Sequence, residues 1–479
     1  MSSIKSSIFY NSSLTILNYI VPLITFPYIT RMLGVDKIGM CDFVDSIINY
    51  FCLLSVMGIS TIGVREIARC KSDKRELSKV FSSLVTIVLV STIIISVALV
   101  VSIFTIEEFY TNRQLLYVGA LKLVFNSLLV EWFFIGTENF KYITIRSTII
   151  RIIYVLLVFL FVNESEDYYI YYCLTVGTIV LNAVVNFLYS CSYVRFSIKG
   201  MSCKEYIKPF LIFGIYGVFT SLYTTFNVIY LGLVSSDSEV GFYSTATKLD
   251  RIILALFTAF TGVMMPRMAS LASSGNREAF NALYVKSIQM LFSYSFPLIC
   301  FCSIFADQIV NVIAGPGYEQ SVVCLRIALP LIFIIGFEQV QIFQILIPLK
   351  KDHAVLLNSM IGGLVGLLLN FVIVPHYQSA GSSIVWLISE ISVLLLSQHV
   401  VYKSCKFTFP YRMLGKYAAI SLPVLVLLYL FNMYQVFSSL TMYFSLLLLL
   451  LYYIFVEIRY LRNQIIMDVL GKICSKMKM

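Results

Sequence analysis

Apolar residues fall in fourteen runs of about twenty, at 8–30, 41–63, 80–106, 114–136, 147–163, 168–192, 209–234, 241–265, 283–306, 321–347, 354–374, 380–400, 417–435 and 440–457. A run of ~20 apolar residues is the length that crosses a bilayer as a helix. The chain therefore reads as an all-α polytopic membrane protein. The fifth run is short, and only Val436 to Ser439 separate the last two, so the expected number carries a margin of one. The first run is too long for the apolar stretch of a signal peptide and is read as a span.

The polar segments between the runs set the orientation. With the N-terminus placed inside, the inner segments hold 26 Lys and Arg, whereas Arg31, Lys37 and Arg113 are the 3 in the outer ones. The inner count includes Lys141 and Arg146 after the fourth run and the basic stretch Arg65 to Lys79 after the second. Such a bias puts both termini in the cytoplasm. The longest outer connection, 306–320, has about fifteen residues, too few for a folded domain.

Composition agrees: 59% of residues are hydrophobic and 13% charged, against about 25% charged in soluble domains. The net charge of +10 is spread over short basic loops, so orientation accounts for it better than a nucleic-acid partner. Neither the 11 Cys nor the 3 His have metal-ligand spacing, and no nucleophile constellation appears; no cofactor is expected.

A repeat is visible. Gly39-Met-Cys-Asp opens the second run and Gly241-Phe-Tyr-Ser the eighth, each after a Leu-Gly pair, Leu33-Gly34 and Leu231-Gly232. An offset of six spans implies two parallel lobes. The expected domains are 1–208, 209–416 and a peripheral 417–479.

Charges within the runs carry the candidate chemistry, because an ion at membrane depth costs a few kcal/mol unless it meets water or a partner. They are Asp42 and Asp45 in the second run, Lys122 and Glu131 in the fourth, Lys248, Asp250 and Arg251 in the eighth, Arg326 and Glu338 in the tenth, and Glu390 in the twelfth. Lys248 and Arg251, three apart, share a helix face. The expectation is a common polar chamber, with Asp42 and Asp45 meeting Lys248 and Arg251 as an ion-paired outer gate. Asp42 and Arg326, nearest the surface, are as readily snorkelling residues. Intramembrane Pro22, Pro27, Pro297, Pro330 and Pro423 predict bends.

Three stretches resemble the Wzx-type O-antigen flippases, the polysaccharide-transporter branch of the multidrug/oligosaccharidyl-lipid/polysaccharide superfamily. They are Arg31-Met-Leu-Gly34 with Ile38-Gly39, Met57-Gly58-Ile59 with Gly63-Val-Arg65-Glu66-Ile67-Ala68, and Glu131-Trp132-Phe-Phe-Ile-Gly136-Thr-Glu138. The resemblance implies two six-helix lobes around a central cavity plus two peripheral helices, working by alternating access in the cell inner membrane. It implies an undecaprenyl-diphosphate-linked oligosaccharide as cargo, with membrane lipids and a polymerase of the same pathway as partners. Lys248, Arg251, Arg31, Lys122 and Arg326 are the cations that would hold the diphosphate. Asp42, Asp45, Asp250, Glu131 and Glu338 would then serve gating or ion coupling. The rivals are a polymerase or glycosyltransferase, disfavoured by the short outer loops, a lipid II flippase, and a drug or cation antiporter of the same superfamily.

Overall fold

The computed structural model describes residues 4–196, 201–433 and 441–461. The junction of the last two runs and the tail cations Arg462, Lys472, Lys476 and Lys478 lie outside the described residues. Two compact units are present: residues 1–244 with 366–385, and residues 245–365 with 386–479.

The first unit opens with α1 (Ile4–Val56), which is two helices run together across a kink at Gly34 (φ 75°, ψ 173°). That backbone geometry is open to glycine without a Cβ penalty. After Met57 and Gly58 comes α2 (Ile59–Cys70), which buries Ile59, Ile62, Ile67 and Cys70 and turns Arg65 and Arg69 outward. The basic stretch is thus an amphipathic helix lying after the second span. Asp73 then caps α3 (Lys74–Thr105) by accepting from the backbone N–H of Arg75 and Glu76.

α4 (Glu107–Thr111), α5 (Arg113–Asn126) and α6 (Glu131–Gly136) follow. The fourth run is not one helix, because Val130 has φ 37° and the ladder stops at Asn126. α7 (Phe140–Phe161) spans 22 residues and corrects the short fifth run. Its first two turns carry Lys141 and Arg146, and Arg146 finds an ion-pair partner inside the protein. α8 (Tyr168–Ser190), α9 (Cys203–Ser221) and α10 (Thr225–Val234) complete the unit, the last two meeting at 52°. The core joins Phe43, Val44 and Ile47 of α1 to Leu116 and Leu123 of α5 and to Tyr172 and Val176 of α8.

α11 (Asp237–Ser273) starts in the first unit and continues in the second. The second unit adds α12 (Arg277–Ile304), α13 (Ala306–Ile313), α14 (Ser321–Ala328) and α15 (Leu331–Gln341). Pro330 sits between α14 and α15, and a π-turn follows at Ile342–Leu346, so the tenth run is also broken. α16 (Asp352–Cys405) has 54 residues with a non-helical joint at Gln378 (φ 48°, ψ −125°). Its halves fold back on one another: the side chains of Asn358 and Ser397 hydrogen-bond at 3.1 Å, and Gly362 packs against Val393. α17 (Tyr411–Met433) and α18 (Thr441–Val456) end the described chain.

Among the described residues, 11 helices are long and apolar enough to cross a membrane, or 12 with the bent α9–α10 pair as one span. Two of these stretches, of 51 and 54 residues, each hold a kink that joins two helices. At ~1.5 Å per residue each is over twice the ~30 Å hydrocarbon thickness, enough for two passages. That joining is the difference from fourteen runs. Outward faces are apolar: Ile93 (64%), Val97 (60%) and Phe104 (63%) of α3 are exposed, a surface stable only against lipid.

Candidate functional site

In the first unit the charges close into pairs. Lys122 of α5 is buried, and its Nζ lies 2.6 Å from Asp45 Oδ1 of α1. Asn49, one turn on from Asp45, donates to the other carboxylate oxygen at 2.9 Å. A charge-assisted hydrogen bond that short, shielded by α1, α5 and α8, neutralises both ions at depth. Sequence reasoning expected Asp45 to face Lys248 or Arg251. Within the first unit its carboxylate is held by Lys122, 77 residues along the chain and on the helix packed beside it.

Glu131 opens the first turn of α6 and accepts from Nη2 of Arg146 at 2.8 Å. Arg146 is 6% exposed, so it is a buried ion and not one of the loop cations that orient the chain. Its Nε and Nη1 have no hydrogen-bond partner, nor does Nη1 of Arg151 one turn further on. The family-like stretches around it are packing elements. Gly63 of α2 lies beneath Trp132 of α6, and a Cβ there would come within 2.5 Å of the indole. Gly136 lies against Ile67 in the same way, and Lys71 pairs with Glu138 at 3.0 Å across the same seam.

The start of α11 also belongs to the first unit. Gly39 approaches the carbonyl of Asp237 and Gly241 that of Val35, so the two repeated glycines sit in reciprocal backbone contact. Ser238 donates to Asp36, and Glu239 accepts from the backbone N–H of Ser379 at 3.0 Å.

The second unit gathers its ionisable groups along one interior seam. Asp250 of α11 is fully buried and neither carboxylate oxygen has a hydrogen-bond partner. Its neighbour Arg251 is exposed, acts electrostatically on both Asp250 and Glu390, and places its guanidinium 5.9 Å above the Trp386 ring. Trp386 Nε1 donates to Glu390 Oε1 at 3.1 Å. Glu390 also lies within interaction range of Glu338 of α15, and both are buried. The seam continues in amides: Gln341 with Gln398 at 2.6 Å, and Gln339 with Thr258 at 3.0 Å.

Glu390 and Trp386 are the residues that sequence reasoning did not assign. The signal for Glu390 was present, as an acid inside an apolar run, but its pairing with Glu338 depends on how α15 meets α16. Of the other candidates, Arg326 is exposed and pairs with Asp307 at 2.6 Å. Arg31 is exposed and donates to the Pro27 carbonyl at 2.7 Å. Asp42 and Lys248 are half-buried.

Residues 4–272 match the family model described as "Polysaccharide biosynthesis protein". A protein of Escherichia coli (strain K12) named "Putative O-antigen transporter" is 27% identical over 404 residues, covering 82% of this chain and 95% of its own length. The solved structure titled "Lipid II flippase MurJ, inward closed conformation" superposes with a TM-score of 0.77 at 16% identity, over 96% of this chain and 100% of that one. A MATE-family multidrug resistance transporter of the MOP superfamily in an outward-facing conformation gives 0.54 at 14% identity, over 82% and 92%. At such identities the likeness is one of fold.

Proposed function

Since this chain belongs to the polysaccharide biosynthesis protein family, we propose that it is a flippase for a lipid-linked oligosaccharide used in O-antigen or related surface-glycan synthesis. The activity is transport and not catalysis. The cargo is an undecaprenyl-diphosphate-linked repeat unit, turned by alternating access from the cytoplasmic to the outer leaflet of the inner membrane, with both termini cytoplasmic. The lobes in this reading follow the repeat, 1–208 and 209–416, with 417–479 peripheral.

The observation that carries the reading is the buried seam Asp250–Trp386–Glu390–Glu338 with the exposed Arg251 beside it. Ionisable groups within membrane-spanning helices are costly and mark a pathway. A diphosphate needs cations where it leaves water, and Arg251, exposed beside an aromatic face, is suited to that contact. Lys248 and Arg31 supply further charge, whereas Lys122 is engaged by Asp45 and Arg326 by Asp307. Deleting the protein in its native cell is expected to remove surface polysaccharide while the lipid-linked unit builds up inside. Normal display of single units with shortened polymer would overturn transport in favour of polymerisation.

The carboxyl pair is assigned the coupling role. Glu338→Gln keeps a hydrogen-bond donor towards Glu390 but removes the exchangeable acid. Its thermal unfolding is expected to stay near the parent's while surface polysaccharide falls at least tenfold. Full polysaccharide with Gln at 338 would show that the proton of this pair is not used.

A further inference from the structure

We propose that the groove between α7 and α8 binds one anionic phospholipid of the surrounding bilayer, its phosphate at Lys141 and Arg146 and one acyl chain along α7. The groove encloses about 570 Å³, within the usual range for small-ligand sites. Ile145, Ile149 and Ile153 line it at successive helical turns, with Leu181 of α8 opposite, and these four are 41–53% exposed. An aliphatic channel open on that scale faces the bilayer, so its occupant enters from the side.

The polar end is built for an anion. Lys141 is exposed at the mouth. Arg146 lines the groove while more than nine-tenths buried; its Nη2 donates to Glu131 and to Ser147 Oγ, and its Nε and Nη1 are enclosed without partners, so it lends charge to this end of the groove. Arg151, within electrostatic reach of Glu131 and Arg146, has an unpartnered Nη1 as well. One carboxylate thus lies near two guanidinium groups, Arg146 in the groove wall and Arg151 behind it, and the excess of positive charge favours a phosphodiester held at the exposed Lys141. The stacked rings of Tyr142 and Tyr189, 4.1 Å apart, wall this end, where amphipathic aromatics suit the headgroup level.

Length selects the kind of lipid. Lys141 to Ile153 is twelve residues, about 18 Å of helix at ~1.5 Å each. Half of a ~30 Å hydrocarbon core is about 15 Å. The groove therefore accommodates a chain confined to one leaflet, which describes an ordinary phospholipid and not the far longer polyprenyl carrier. In the orientation proposed above this is the cytoplasmic leaflet, whose anionic lipids attract basic residues at the interface. The assignment does not depend on the transport reading.

The full chain, purified in detergent, is tested by native mass spectrometry with dipalmitoylphosphatidylglycerol and, separately, dipalmitoylphosphatidylcholine. One retained phosphatidylglycerol per chain is expected, held at least tenfold more tightly than the zwitterionic lipid. Lys141→Ala should weaken it about fivefold. Ile149→Trp, at a half-exposed position where a bulky ring fills the groove without entering the core, should abolish it. Ile94→Trp, on the lipid-facing side of α3, should leave it unchanged. Equal retention of both lipids, or retention indifferent to Lys141→Ala and Ile149→Trp, would overturn the site as mere annular lipid. One-for-one displacement by undecaprenyl phosphate at equal concentration would overturn the choice of occupant.

Discussion

Gly241→Ala is expected to lower surface-polysaccharide delivery by about tenfold or more with the protein still present in the membrane at its normal level. A single methyl suffices because of what it meets. The Cβ would be driven into the backbone of Val35, and the counterpart at Gly39 into the backbone of Asp237. A flexible side chain could swing aside, but a carbonyl held in a helix cannot. Overpacking of this kind typically costs about 1–3 kcal/mol, and every 1.4 kcal/mol is about a factor of ten in the population of any arrangement that contains this contact. Gly39→Ala should behave alike, since the contact is reciprocal. Gly177→Ala and Gly262→Ala place their methyls in open space and serve as controls. Wild-type delivery by Gly241→Ala at normal abundance would mean that this approach is not revisited during transport.

The second large effect is expected at the ion pair of the first unit. Lys122→Ala strands Asp45 among α1, α5 and α8 with only Asn49 as donor. Breaking a buried pair from one side costs about 3–5 kcal/mol, whereas removing both ions can be close to neutral. The side chain of Asp45 keeps 27% exposure, so the low end, about 3 kcal/mol, applies. Denaturant unfolding of the purified chain should show Lys122→Ala strongly destabilised and Lys122→Met with Asp45→Leu recovering most of the loss. The reversed pair, Lys122→Asp with Asp45→Lys, should also recover. If reversal succeeds only when Asp45→Lys is combined with Lys248→Asp, the carboxylate answers to Lys248 and the Lys122 pair is incidental.

These pairs mark the border of what the residues alone could tell. That the chain crosses a membrane many times follows from run length and charge bias, and the family match over residues 4–272 and the MurJ-like fold accord with it. The burial of Asp250 and Glu338 was legible too, because an acid amid apolar residues has few explanations. Partner choice was not. Asp45 can reach any helix that packs against its face, and it is the packing of α1 on α5 that brings Lys122 to it. Arg146 reads as a loop cation because it follows Lys141 and precedes an apolar run; burial against Glu131 is a property of the break at Val130, where a β-branched residue takes a left-handed conformation that no local signal predicts. Pro330 did announce a break, as a residue without an N–H must. The breaks at 127–130 and 222–224 contain no proline and were silent.

The kink at Gly34 has a bearing on how the protein is made. Because two helices run together through it, the two apolar halves of α1 are best regarded as entering the bilayer as a single hairpin during biogenesis. Its tip then carries Arg31, Asp36 and Lys37 past the hydrocarbon core. Each such charge opposes passage by a few kcal/mol, roughly 2.5–3.5 on insertion scales, which the flanking apolar residues must outweigh. The composition of that tip is thus constrained by the moment of synthesis as much as by the finished transporter.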